Sequence, residues 1–209
     1  MKLLEQYSVD SVFLDKPWKK ITYKDIEKLS GKKSRSYIYR SLERLQKESI
    51  IKKEEVGKSL LYSLNLTSLN TKLYMGFLEE YKSMSSKHVP LSLVSNLSNL
   101  AFKVTPFFIL LITGSYARNK QTSKSDLDVV IICDDKVDPK SILAELKLES
   151  ELSIPPVHLF VFRKKKVLDM LSSDKENYGK EFVRNHLLFR GGSSYFDILW
   201  EAINHGFNG

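Results

Sequence analysis

"LLITGSYARNKQTSKSDLDVVIICDD", residues 110–135, sets a loop between two short apolar runs. The loop opens on Gly114-Ser115 and closes on Asp126-Leu127-Asp128. The run "PFFILLI", bounded by Pro106 and Gly114, predicts one buried strand, and "SDLDVVIIC" predicts a second. Side chains alternate along a strand, so Asp126 and Asp128 are expected on one face, with Leu127 and Val129 on the other. Two neighbouring carboxylates repel unless a cation sits between them. Hard oxygen ligands at that separation suit Mg²⁺ or Mn²⁺, above all when a substrate phosphate completes the coordination. Gly114 lets the backbone turn closely, and the amides that follow, opening a short helix, can hold a phosphate. A phosphate cradle beside a carboxylate-held metal is suited to nucleotidyl or phosphoryl transfer. The other phosphate motifs, GxxxxGK[ST] and GxGxxG, do not occur.

The motif "GSYARNKQTSKSDLDVVI" has ten residues between Ser115 and Asp126, followed by Asp-x-Asp. It resembles the signature of the polymerase β-like nucleotidyltransferase superfamily, in its small "minimal" prokaryotic branch. The resemblance runs on through "SILAELKLESEL" as a helix, "PPVHLFVF" as the third strand and "KEFVRNHLLFRGGSSYFDILWEAI" as the closing strand and helix, covering about residues 90–205. It implies an α/β nucleotidyltransferase fold, a mixed sheet flanked by helices, acting on an NTP with Mg²⁺ or Mn²⁺. It further implies that Gly114 and Ser115 bind the triphosphate, that Asp126 and Asp128 hold the metal, and that Arg118 either approaches phosphate or braces the loop. Two positions depart from the pattern. Asn119 stands where a glycine is common. The third carboxylate, which the family places near the start of the third strand, is replaced in register by His158. With Val157, Leu159 and Val161 on one face, His158 is expected to point toward the site, where a neutral imidazole can accept a proton from the attacking hydroxyl. The substitution removes one negative charge from the metal site. The bland alternative is a packed or surface histidine beside an inert centre.

The N-terminal third has another character. Leu3, Leu4 and Tyr7, then Val12, Phe13 and Leu14, recur at helical spacing until Pro17. "ITYKDIEKLSG" predicts a helix with a capping box at Thr22 and Asp25, an apolar side at Ile26 and Leu29, and a stop at Gly31. "SRSYIYRSLERLQKES" predicts a helix capped by Ser34 with Ile38, Leu42 and Leu45 inward, and "IIKKEEVGKSLLYSLN" a hairpin tipped by Gly57 and Lys58. Three helices and a basic-tipped hairpin over residues 1–66 resemble a winged helix-turn-helix domain. That resemblance implies double-stranded DNA as a partner, with Ser36, Tyr37, Arg40 and Arg44 on bases or phosphates and Lys58 as a wing contact. Charge agrees: residues 1–66 hold 15 Lys/Arg against 9 Asp/Glu, most of the net +8. A winged-helix module used for protein contacts is the alternative.

Residues 67–88 carry Leu69, Leu73, Phe77 and Tyr81 four apart and read as a helix, a connector or a dimerisation element that makes the protein a homodimer. "SMSSKH" then marks the boundary before residues 89–209. The chain is thus read as two domains, α+β followed by α/β. The run Arg163–Lys166 reads as a solvated turn. A single Cys among 209 residues excludes an internal disulfide framework, and four scattered histidines argue against structural zinc. The apolar runs are strand-sized and the start has no sustained apolar stretch, so a cytoplasmic protein without membrane span or signal peptide is expected. The leading expectation is NMP transfer to an unidentified hydroxyl. Its rivals are a DNA-binding regulator with a nucleotide-sensing domain, and an antitoxin-like protein that modifies or binds a toxin partner.

Overall fold

The computed structural model describes residues 8–209, so Leu3, Leu4 and Tyr7 of the expected first helix lie outside the described residues. The first described helix, α1 (Val12–Asp15), is one turn with Val12, Phe13 and Leu14 buried. β1 (Ile21–Thr22) runs directly into α2 (Tyr23–Ser30), where the capping box forms: the Asp25 N–H donates to Thr22 Oγ1 at 3.2 Å, and the Thr22 N–H donates to Asp25 Oδ2 at 2.9 Å. Gly31 stops α2 at φ 64°, a left-handed conformation that glycine adopts without a Cβ penalty. Ile26 is buried as expected, whereas Leu29 is 56% exposed. The main neighbours of α2 are α1 and β1, together with the hairpin strand that pairs with β1.

α3 (Arg35–Lys47) is capped by Ser34, whose Oγ accepts from the Tyr37 N–H, and it buries Ile38, Leu42 and Leu45. β2 (Ile51–Val56) and β3 (Ser59–Leu64) form the hairpin, with Gly57 at φ 61° in the turn. β1 joins it to give a small sheet in the order β1-β3-β2.

The second half begins with α4 (Leu69–Met84) and α5 (Leu91–Val104). Its sheet is built from β4 (Phe108–Ile112), β5 (Leu127–Cys133), β6 (Val157–Arg163) and β7 (Leu187–Arg190), in the order β6-β5-β4-β7. β5 and β6 are parallel and the other pairs antiparallel, so the sheet is mixed. α6 (Gly114–Ala117) follows β4, and α7 (Pro139–Leu152) crosses from β5 to β6. α8 (Lys164–Ser172), α9 (Tyr178–Arg184) and α10 (Gly192–Asn204) complete the chain. Of the basic run expected as a turn, Arg163 ends β6 and residues 164–166 form the first turn of α8, with Lys164 Nζ paired to Glu201 Oε2 at 2.7 Å. Two apolar layers sandwich the sheet. Leu110, Ile112, Val129 and Ile131 face α5 and α7, while Ile109, Leu111, Val130 and Ile132 face the layer containing α4 and α10.

α4 does not span open space: it packs along α10 and β7. The face it buries is also not the one its apolar spacing suggests. Thr71, Met75, Gly76, Leu78, Glu79 and Ser83 are buried, while Leu69, Leu73 and Phe77 are 67%, 53% and 52% exposed. The cause is a backbone-to-backbone crossing. A Cβ on Gly76 would lie 2.6 Å from the carbonyl carbon of Gly192, so only glycine at both points allows the two helices to approach this closely. No helix among the described residues is long and apolar enough to cross a membrane.

Candidate active site

Three strand ends converge at one edge of the larger sheet. β4 pairs with β5, Ile112 opposite Val129, and the Thr113 N–H donates to the Asp128 carbonyl at 2.9 Å. The chain then turns at Gly114, φ 65°, into α6. On the other side of β5, the parallel register sets Asp128 beside His158 of β6. Leu127 and Val129 are fully buried, and the carboxylates of Asp126 and Asp128 keep 38% and 28% of their side-chain surface. Successive side chains alternate sides, so the two aspartates share one side while Leu127 and Val129 share the other.

His158 lies between the two carboxylates, Nε2 at 3.4 Å from Asp126 Oδ2 and Nδ1 at 3.6 Å from Asp128 Oδ1. Burial raises the Asp128 carboxyl above its ordinary value and Asp126 adds to the rise, while His158 and Arg118 pull it back down. Gly114 presses against the same carboxylate: a Cβ there would stand 2.0 Å from Asp128 Oδ2. Ser115 is half-exposed at the start of α6. Arg118 is exposed, and its Nη1 donates to Glu181 Oε1 at 3.3 Å. Asn119 adopts φ 53°, a left-handed conformation that asparagine tolerates better than most residues, which accounts for asparagine where glycine is common.

Two residues absent from the sequence reading stand at this edge. The Thr113 and Tyr178 hydroxyls lie 3.0 Å apart, and the Tyr178 ring packs on Phe160 at 4.7 Å between centroids. Burial raises the Tyr178 phenol above its ordinary value, and the Asp128 charge raises it further. Tyr178 belongs to α9, fifty residues beyond Asp128, and only the fold brings it close. A cleft of about 480 Å³ opens beside it, lined by Asn177, Glu181 and Arg184 among others. A larger cleft of about 520 Å³ lies at the opposite ends of β4 and β5, near Phe108 and Cys133, away from the carboxylates.

Among the described residues, no group of three or more His, Cys, Asp or Glu side chains is arranged to hold a metal ion by itself. The donor set at this edge, two carboxylates on one side of a strand, still fits a hard cation of the magnesium class, which commonly takes one or two carboxylates and completes its shell with water and substrate phosphates.

The N-terminal candidates lie apart from this edge. Ser36 and Arg40 are exposed on α3, where Arg40 Nη2 donates to Ser36 Oγ at 3.0 Å. Tyr37 is half-buried with the Lys32 ammonium 5.6 Å from its ring centre, and Lys58 is exposed at the hairpin tip. Arg44, expected on bases or phosphates, makes its pairs within the fold. Its guanidinium turns inward to the carboxylate of Asp10, which is 1% exposed, and also pairs with Glu48 at 3.2 Å. Asp10 accepts from the Tyr74 hydroxyl as well. Burial outweighs both partners and raises the Asp10 carboxyl above its ordinary value. A buried carboxylate needs such partners, and Arg44 is held to that task.

Residues 110–181 match the family model described as a nucleotidyltransferase domain. The mixed sheet flanked by helices agrees with that fold. No curated protein and no solved structure matches the chain.

Proposed function

We propose that the C-terminal half transfers a nucleoside monophosphate from an NTP to an acceptor hydroxyl and releases pyrophosphate. One observation carries the reading: within the matched domain, the Gly114 turn, Asp126 and Asp128 converge on one sheet edge, with Gly114 in contact with the Asp128 carboxylate. Gly114 and Ser115 position the triphosphate. Asp126 and Asp128 hold a divalent metal, Mg²⁺ or Mn²⁺, which when bound neutralises phosphate charge and polarises the reacting phosphoryl group. The acceptor oxygen bonds to the α-phosphorus, the bond from that phosphorus to the pyrophosphate oxygen breaks, and the hydroxyl proton passes to His158. The imidazole lies between the two carboxylates, Nε2 3.4 Å from Asp126 and Nδ1 3.6 Å from Asp128, and an imidazole nitrogen can accept a proton. Arg118 is exposed, and its surface pair with Glu181 is one it can exchange for a phosphate.

The N-terminal unit is read as a winged helix that binds duplex DNA through Ser36, Tyr37 and Arg40 of α3 and Lys58 of the hairpin. The support is the helix and hairpin order, the basic charge and the exposure of Ser36, Arg40 and Lys58.

A second reading is favoured by His158 itself. With an imidazole in place of a third carboxylate, the centre has one anion fewer for a metal, and the domain then binds nucleotide without turnover, as a sensor for the DNA-binding unit. One experiment separates the two. The purified protein is incubated with each α-labelled NTP, Mg²⁺ or Mn²⁺, and candidate hydroxyl acceptors. Label transfer with pyrophosphate release, abolished in Asp126→Asn and Asp128→Asn, supports catalysis. NTP binding without transfer supports the sensor, and absence of both removes the nucleotide site.

A further inference from the structure

Three consecutive residues, Asn177-Tyr178-Gly179, set one side chain over the carboxylate strand. Asn177 caps α9 and ties it to α8: its Oδ1 accepts from the Lys180 N–H at 3.2 Å, and its Nδ2 donates to the Met170 carbonyl at 2.7 Å and the Lys175 carbonyl at 3.0 Å. Gly179 lets the two helices close, since a Cβ there would lie 2.7 Å from Met170 Cβ. Tyr178 is thereby fixed between them at the first turn of α9. Its ring centroid lies 4.7 Å from that of Phe160 and 6.3 Å from that of Phe162, both on β6, and it meets Phe182 edge-on at 5.7 Å. Its hydroxyl lies 3.0 Å from the Thr113 hydroxyl at the end of β4. In the sheet order β6-β5-β4, this side chain therefore spans from one neighbour of β5 to the other, across the strand that carries Asp128.

The ring and the hydroxyl have separable uses. A phenylalanine would fill the same aromatic cluster, so packing does not call for the oxygen. Thr113 does: it is 2% exposed, and its buried hydroxyl would lose this partner. Thr113 is also a joint of the site. Its N–H donates to the Asp128 carbonyl at 2.9 Å, and the next residue, Gly114, abuts the Asp128 carboxylate. We infer that Tyr178 is a positioning residue of the nucleotide site, an inference that rests on the transfer reading above. Its hydroxyl holds Thr113, and through it the Gly114 turn, in register with Asp128, while its ring braces the strand that carries His158. Phe160 stands two residues from His158 on the same side of β6, so the ring bears on that strand directly. Groups presented by three separate strands must keep their spacing for transfer to occur, and a misplacement of about 1 Å can cost roughly a hundredfold in rate.

The test compares Tyr178→Phe with the wild type in the full chain, by amide hydrogen exchange and by pyrophosphate release under the transfer conditions above. The amide of residue 113 should exchange roughly tenfold faster in the variant, at a melting temperature close to that of the wild type. The kcat should fall roughly tenfold while KM for the NTP stays within a factor of about two, the pattern of misplaced reacting groups rather than of weakened binding. Thr113→Val removes the same bond from its other end and keeps the test sharp if the first variant folds poorly. The double variant should lose no more than either single one, because both substitutions delete one shared interaction. Unchanged exchange at residue 113, a kcat equal to that of the wild type, or additive losses in the double variant overturn the inference. A wild type that transfers no nucleotide overturns the transfer reading instead, and exchange at residue 113 then decides by itself whether Tyr178 holds the turn.

Discussion

Gly114 and Asp128 are in van der Waals contact across the junction of β4 and β5, leaving no room for a Cβ: one built on Gly114 would reach within 2.0 Å of Asp128 Oδ2. Glycine is also required by the backbone there, at φ 65°. The turn that presents the loop amides and the carboxylate proposed to hold a metal thus constrain each other. Gly114→Ala is expected to be damaging on both counts. The left-handed conformation alone costs about 1–2 kcal/mol, and the methyl displaces Asp128. A melting temperature lowered by several degrees, together with loss of stabilisation by Mg²⁺ plus NTP, is the expected result. A variant that melts and responds like the wild type contradicts the contact.

Metal and nucleotide together should stabilise the wild type, because a ligand that binds only the folded state adds about 2.7 kcal/mol at a hundredfold excess over its dissociation constant. Asp128→Asn should remove most of that gain while leaving the apo melting temperature close to that of the wild type. Thermal melts with and without Mg²⁺ and each NTP measure it, and equal shifts in both proteins would place the metal elsewhere.

His158→Asp restores an anion beside Asp126 and Asp128. Coulomb attraction and the preference of Mg²⁺ for oxygen both act in the same direction. Mn²⁺ affinity measured by calorimetry should rise roughly tenfold, the equivalent of about 1.4 kcal/mol. Transfer activity, where present, should hold or increase. Unchanged affinity would mean that the β6 position does not bear on the metal.

Arg40 and Arg44 should behave differently although both belong to α3. Arg40→Ala removes an exposed cation and should weaken duplex DNA binding, with a shallower dependence on salt. Arg44→Ala removes the charged partner of the buried Asp10 carboxylate, leaving the Tyr74 hydroxyl, and should lower stability by about 1–3 kcal/mol. Fluorescence anisotropy against salt and a urea melt of each variant separate the two effects. If Arg44→Ala is as stable as the wild type, the inward pairing is mistaken.

A buried pair between α4 and the segment leading into β7 controls the pH response. Burial pushes the Glu79 carboxyl up to about 7 from 4.5, and it pushes the His186 imidazole down to about 4 from 6.5. Lys82 and Asp15 act on Glu79 from nearby, and the Tyr195 ring packs 4.8 Å from His186. The Glu79 carboxyl keeps its proton in the fold, so its contribution is complete below pH 4.5 and is lost as pH rises toward about 7. His186 stays neutral in the fold, so its contribution is complete above pH 6.5 and is lost as pH falls toward about 4. Between pH 4.5 and 6.5 the slopes oppose and nearly cancel. Glu79→Gln should expose the histidine slope, with stability rising by up to about 3 kcal/mol across that window. Urea melts over this range check it, and a profile as flat as that of the wild type would reject the assignment.

Features that depend on neighbours within a few residues were legible from the sequence alone. The Thr22–Asp25 box, the Gly31 stop, the inward line Ile38–Leu42–Leu45 and the shared face of Asp126 and Asp128 all recur in the structure. Each follows from backbone geometry: one helical turn, one left-handed residue, or the two-residue period of a strand. The side taken by His158, opposite Val157, Leu159 and Val161, was anticipated too, and it brings the ring between the two aspartates.

What lies opposite an element is another matter. Apolar spacing marks one stripe of α4, but the Gly76–Gly192 approach turns a different face inward, because backbone contact there excludes any other rotation of the helix. Arg44 carries the same charge as Arg40 and an equally reasonable spacing, yet a carboxylate 34 residues earlier in the chain draws it inward. Thr113 and Tyr178 meet only because β4 ends and α9 begins at the same end of the sheet. Local sequence determined which elements form and which side chains each could offer. The tertiary structure decided which of them are used, since burial and pairing depend on distances that no short-range period encodes.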